Sequence, residues 1–229
     1  MNYIGIDPSI TSTGMVVNGH TFNYSYEKNG LTKKGNLSKW FLISEHITKY
    51  RFHNQATYSN YKDEQINKLN LYNNVSKIIS DDIVNTIDPL KPVKVFIEGY
   101  SYGSSQGNLI DLVSFGSLLR QKILTITNDI TIVSPNTLKL ETCKMVYKPI
   151  EKVTGRKRDK IKYIYKNDIG IPGGSFTKKE MAKAISDSHW DDNWADHIRE
   201  IRPEFSSTIP KPQEDINDSY LLYKLSQKK

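Results

Sequence analysis

Cysteine is almost missing from this chain of 229 residues, and long apolar runs are missing altogether. The single thiol, Cys143, excludes an internal disulfide and a cysteine-built zinc cage, and it suits a reducing compartment. No stretch approaches the ~20 apolar residues of a membrane-spanning helix. The opening MNYIGIDPSI lacks the basic-then-apolar layout of a secretory leader. A soluble, intracellular, cytoplasmic protein with no membrane partner is therefore expected. A G-x-x-x-x-G-K-[ST] phosphate loop is absent as well, Ile171-Pro172-Gly173-Gly174-Ser175 not qualifying, so no nucleotide cofactor is expected. There are no internal repeats and no low-complexity linker.

What is present is ordinary globular composition, 37% hydrophobic and 25% charged, enough to bury a core within one domain over residues 1–229. Lys and Arg number 32 against 25 Asp and Glu, a net charge of +7. The excess is concentrated: residues 139–183 hold 13 basic side chains and five acidic ones, Arg156, Lys157 and Arg158 among the former and Lys179 near the end. A basic block beside a neutral body is the footprint of phosphate-backbone contact, and equally the composition of a solvated lysine-rich insertion. The Lys/Asn-rich composition hints at an AT-rich, viral or phage genome.

Hydrophobic spacing gives an α/β order. Asn2–Ile6 reads as a buried strand with Gly14–Val17 as its return partner, and Phe22–Tyr26 alternates as a third strand. The rest of 18–61 is polar and hard to phase, and reads as an elaborated loop or hairpin. Helical periods cover 63–87 and 108–126, and the β-branched runs Val93–Ile97 and Ile130–Val133 read as buried strands. Ser134-Pro135 opens a short helix containing Leu138, and Thr177 with Glu180 forms a capping box for a helix over 178–187. Trp190 and Trp194, spaced i, i+4, predict one packed helical face. A last helix runs from about 214 to 225. Insertions are expected at about 18–61 and 144–170.

Four acids fall where such an order gathers its chemistry. Asp7 ends the first strand and Glu98 ends the buried run Val95-Phe96-Ile97, as at the carboxyl edge of a parallel pair. Asp215 and Asp218, at i, i+3, share one face of the last helix. Taken alone, either is also what a helix N-terminus favours. Together, several carboxylates repel one another unless a cation relieves them. Oxygen-only ligands point to Mg²⁺, with Mn²⁺ as a substitute, rather than zinc. Two such ions ~3.5–4 Å apart activate a water and stabilise the leaving oxygen in phosphodiester hydrolysis.

Ile4-Gly5-Ile6-Asp7-Pro8-Ser9 with Thr13-Gly14 resembles the opening strand and turn of the RuvC family of Holliday junction resolvases. Phe96-Ile97-Glu98-Gly99-Tyr100, Ser134–Lys139, Gly174–Glu180 and Asp215-Ile216-Asn217-Asp218-Ser219 are similar, in order, to later islands of that family. The resemblance implies a ribonuclease-H-like fold, a mixed central sheet flanked by helices. It also implies a homodimer that cuts four-way DNA junctions with symmetric nicks. It makes Asp7, Glu98, Asp215 and Asp218 the catalytic metal ligands and Lys178 a catalytic lysine, and gives Lys139 a basic role on the DNA. Tyr100 and Tyr102 fall where the family places an aromatic that stacks on an opened base, a contact of about 1–3 kcal/mol; a loop tyrosine packed on its own domain is the alternative. Flaps, replication forks or other branched DNA are alternative substrates, and a non-catalytic junction-binding protein is the remaining reading within the fold. The strand-Asp-turn opening also resembles actin-like and sugar-kinase-like ATPases, which need a second glycine-rich phosphate loop that this chain lacks.

Overall fold

The computed structural model describes residues 1–31, 38–54, 58–100, 106–147, 150–154, 160–164, 176–205 and 208–228. Strands β1 (Asn2–Asp7), β2 (Ser12–Val17) and β3 (His20–Tyr26) form an antiparallel meander. Asn18 and Gly19, at φ 50° and 87°, make the two-residue turn between β2 and β3. Asn-Gly is the pair that tolerates positive φ at both central positions of such a turn. The short helices α1 (Glu27–Gly30) and α2 (Lys39–Leu42) precede β4 (Thr48–His53), which pairs parallel to β3. Residues 18–61 thus supply two sheet strands besides their loops.

Helix α3 (Tyr61–Thr86) starts where the Asn60 side chain accepts from the Asp63 amide at 3.0 Å. It leads to β5 (Val93–Glu98), α4 (Gln106–Leu124) and β6 (Ile130–Val133). Ser134 caps α5 (Pro135–Val146) through the Thr137 amide at 3.1 Å. The basic stretch then contains an antiparallel hairpin, β7 (Ile150–Thr154) and β8 (Lys160–Ile164), separate from the main sheet. Helix α6 (Lys178–Asp187) begins at the expected capping box, the Thr177 amide donating to Glu180 at 2.6 Å. Helix α7 (Asn193–Ile201), a 3₁₀ turn (Arg202–Glu204) and α8 (Gln213–Lys228) follow.

The main sheet runs β4-β3-β2-β1-β5-β6 with β2 alone antiparallel to the rest. This is the mixed α/β, ribonuclease-H-like arrangement. Strand alternation divides its side chains between two cores. Ile4, Ile6, Met15, Val17, Val95 and Ile97 face α3 and α4, whereas Val16 and Phe96 face α5 to α8. Each buried Ile or Val contributes about 1.5–3 kcal/mol, which is why both faces of the central strands read as unbroken apolar runs.

The tryptophan pair departs from expectation. Asp192, not an earlier residue, caps α7 by accepting from the Ala195 amide at 3.1 Å, so Trp190 lies outside the helix. Trp194 is fully buried on α7, while Trp190 packs edge-on to Tyr220 of α8. At the sheet edge, Lys49 and Arg51 of β4 and the hydroxyl of Tyr24 converge on buried Asp82 of α3, at 3.0 to 3.2 Å. Burial works against the Asp82 charge, but these donors hold its carboxyl below the usual range.

Candidate metal centre

The two strand-end acids meet because β1 and β5 are parallel neighbours, with Gly5 opposite Phe96 and Ile6 opposite Ile97. Asp7 follows the parity of Gly5, and Glu98 that of Phe96. Both carboxylates therefore leave the sheet on the side where α8 lies. Helix α8 reaches them through two glycines. A Cβ on Gly5 would sit 2.1 Å from the Ser219 carbonyl oxygen, and one on Gly14 would sit 2.1 Å from that of Asp215. Backbone approach this close is available only to glycine.

Three further contacts fix the helix. Gln213 donates to the Trp40 carbonyl at 2.6 Å, Trp194 Nε1 to Asn217 at 3.0 Å, and the Tyr220 hydroxyl to Asp192 at 2.8 Å. Its first turns thereby deliver Asp215 and Asp218 to the sheet edge.

Asp7, Glu98 and Asp218 each offer a carboxylate oxygen, and these atoms lie within 4.8 Å of one another. Asp215 stands beside this trio rather than in it. Its Oδ1 accepts from Lys211 Nζ at 3.0 Å, and the Ser12 hydroxyl, which accepts from Ser25 at 3.0 Å, lies near enough to favour its charged form. One oxygen each of Glu98 (Oε2), Asp215 (Oδ2) and Asp218 (Oδ1) is buried with no hydrogen-bond partner among the described residues. Buried anionic oxygens left without donors are costly, and two of them belong to Glu98 and Asp218, which with Asp7 form a donor set that fits a hard divalent cation.

The protonation behaviour agrees. Burial, then the Glu98 charge, lifts the Asp7 carboxyl well above its ordinary value, against a lowering pull from Lys178. Burial likewise raises Glu98, opposed by Lys178 and by its hydrogen bond with Asp7. Asp215 is pushed up to about 7, chiefly by burial and also by Asp7, while Lys211 pulls the other way. Carboxyls raised in the folded state stabilise it fully only below their unfolded values, near 4, and that contribution is lost as pH rises through the folded values. Without metal, the contribution of these carboxyls is therefore expected to fall between pH 6.5 and 8, while half-buried His53 and buried His197, both lowered by burial, add a smaller rise at the acid end of that window. Mn²⁺ is expected to raise the melting temperature more at pH 8 than at pH 6.5, because ligands must be deprotonated to bind. Thermal melts in EDTA and in Mn²⁺ at both pH values check this; equal shifts at the two would contradict it.

Lys178, opening α6, is ion-paired with Asp218 and lies 3.9 Å from Glu214. Lys139 of α5 and Lys178 line a recess of about 200 Å³ together with Glu98 and Met181. Lys179 is exposed next to them. Tyr100 lies along α4, its hydroxyl 3.4 Å from the Val113 carbonyl and Arg120 over its ring at 4.2 Å. Gly116 makes the room, since a Cβ there would stand 2.8 Å from that ring. Tyr102, Arg156, Lys157 and Arg158 lie outside the described residues. Sequence reasoning missed Lys211 and Ser12. The i, i+4 spacing of Lys211 and Asp215 was a usable signal; for Ser12 there was none.

No protein family and no curated protein matches the chain. Among solved structures, that of Thermus thermophilus RuvC is similar, with a TM-score of 0.45 and 11% identity, covering 100% of this chain and 96% of that one. The strand order and directions by themselves give the ribonuclease-H-like arrangement.

Proposed function

We propose that the chain is a metal-dependent, structure-specific DNA endonuclease that resolves four-way junctions by paired phosphodiester hydrolysis, acting as a homodimer. The observation that carries it is the trio of Asp7, Glu98 and Asp218 at the sheet edge, with partnerless buried oxygens on Glu98, on Asp218 and on neighbouring Asp215. Asp7, Glu98, Asp215 and Asp218 would hold two Mg²⁺ ions. When bound, the ions supply an activated water and a Lewis acid at the leaving oxygen. Lys178 would turn from Asp218 to the scissile phosphate, where an ammonium stabilises developing charge. Lys139 and exposed Lys179 would position the backbone, and the basic stretch around Arg156, Lys157 and Arg158 would follow the duplex arms. Tyr100 is engaged with α4, so stacking on an opened base falls to Tyr102 in this reading. Two sites related by a twofold axis suit a junction of near-twofold symmetry.

The test is cleavage of a labelled synthetic four-way junction beside flap, fork and linear-duplex controls, in Mg²⁺ and in EDTA. Paired symmetric nicks that need metal and spare linear duplex are the expected result. Preference for flaps or forks would keep the metal chemistry and replace the substrate. Tight junction binding with no cutting under any metal would replace the enzyme by a binding protein.

A further inference from the structure

Two ammonium groups, from different elements, reach the carboxylates. Lys178 of α6 sits on Asp218, and Lys211, just ahead of α8, sits 3.0 Å from Oδ1 of Asp215. An exposed i, i+4 ion pair stabilises a helix slightly and does nothing else. The Lys211 pair is of another kind. The Asp215 side chain is only 5% exposed, its second oxygen is orphaned, and Asp7 lies within electrostatic reach of the same ammonium. The division repeats at Asp218, where Oδ2 is covered by Lys178 and Oδ1 is left bare. Each helix carboxylate thus keeps one oxygen neutralised by lysine and one buried oxygen without a donor among the described residues.

We propose that Lys211 is a positioning residue of the metal centre, a resident counter-ion that holds Asp215 in place and competes with a divalent cation for it, so setting the metal affinity. The proposal rests on the metal-centre reading above. The physical reason is Coulombic: an ammonium at 3.0 Å and a divalent ion on the same carboxylate repel each other at short range, and solvent around the 44% exposed Lys211 side chain moderates that repulsion without cancelling it. Removing the lysine frees Oδ1 and removes that repulsion. A lysine that merely buttressed α8 would have the opposite signature, because its loss would loosen Asp215 and weaken the cation.

The experiment is direct Mn²⁺ titration at fixed pH, without DNA, of the wild-type chain and of Lys211→Gln, Lys211→Arg and Lys77→Gln. Lys77 pairs with Asp81 on α3, across the sheet, and controls for the loss of one positive charge. Lys211→Gln is expected to bind Mn²⁺ about 3- to 10-fold more tightly, Lys211→Arg to stay near wild type, and Lys77→Gln to be unchanged. Lys211→Met, which keeps the aliphatic stem, carries the same expectation if the glutamine variant fails to fold. Unchanged or weaker binding by both neutral variants, or equal tightening in Lys77→Gln, would overturn the role of Lys211 while leaving the metal centre standing. No Mn²⁺ binding by the wild-type chain would remove the centre itself, and Lys211 with it.

Discussion

Asp7→Asn is expected to lower metal-dependent cleavage at least about 10³-fold, a loss of ~4 kcal/mol in transition-state stabilisation, while junction binding stays intact. The amide keeps the shape of the side chain and one oxygen. It removes a negative charge gathered with those of Glu98 and Asp218 within 4.8 Å. Because burial and the Glu98 charge raise the Asp7 cost of ionisation, the metal-free variant should also melt no lower than wild type at pH 8 and lose part of its pH dependence. Single-turnover cleavage, a binding titration in Ca²⁺ or EDTA, and a thermal melt measure the three parts separately. Loss of binding together with cutting would show that Asp7 shapes the DNA surface instead of the chemistry.

Gly14→Ala should be as damaging by a wholly different route. The new methyl would lie 2.1 Å from the carbonyl oxygen and 2.5 Å from the carbonyl carbon of Asp215, both backbone atoms of a helix clamped on its other sides. Relief requires α8 to lift from β2, and forcing atoms into a packed interface costs about 1–3 kcal/mol or more. For a chain of this length that is a fall of roughly 2–12 °C in melting temperature. The lift also carries Asp215 and Asp218 away from the strand-end acids, and a misplacement of ~1 Å costs on the order of 10²-fold in rate. A variant that melts normally and cuts normally would mean that the helix can slide without consequence.

The strand-end acids were legible because each closes a short apolar run, and because strand alternation fixes the face from which it emerges. The pair on α8 was legible from its spacing alone. The close approach of α8 to Gly5 and Gly14 was not, since it depends on two segments some 200 residues apart in the chain. The Trp190–Trp194 spacing misled because Asp192, a strong N-cap type, starts the helix between them. Strand β4 alternates Lys49 and Arg51 with Tyr50 and Phe52, a strand signal obscured by the polar sequence around it, and the two runs of the β7–β8 hairpin are short and set in a lysine-rich stretch.

The same charged alternation has a consequence for solubility. A sheet with free margins invites another chain to add a strand, and natural sheets blunt that risk with short margins and charged ones. Here β6 has only four residues, and β4, at the opposite margin, carries Lys49 and Arg51 anchored to Asp82. An incoming strand at β4 would have to lie alongside two cations pinned in place by a buried carboxylate. The network that ties β4 to α3 is therefore also a guard against stacking of one molecule's sheet onto the next.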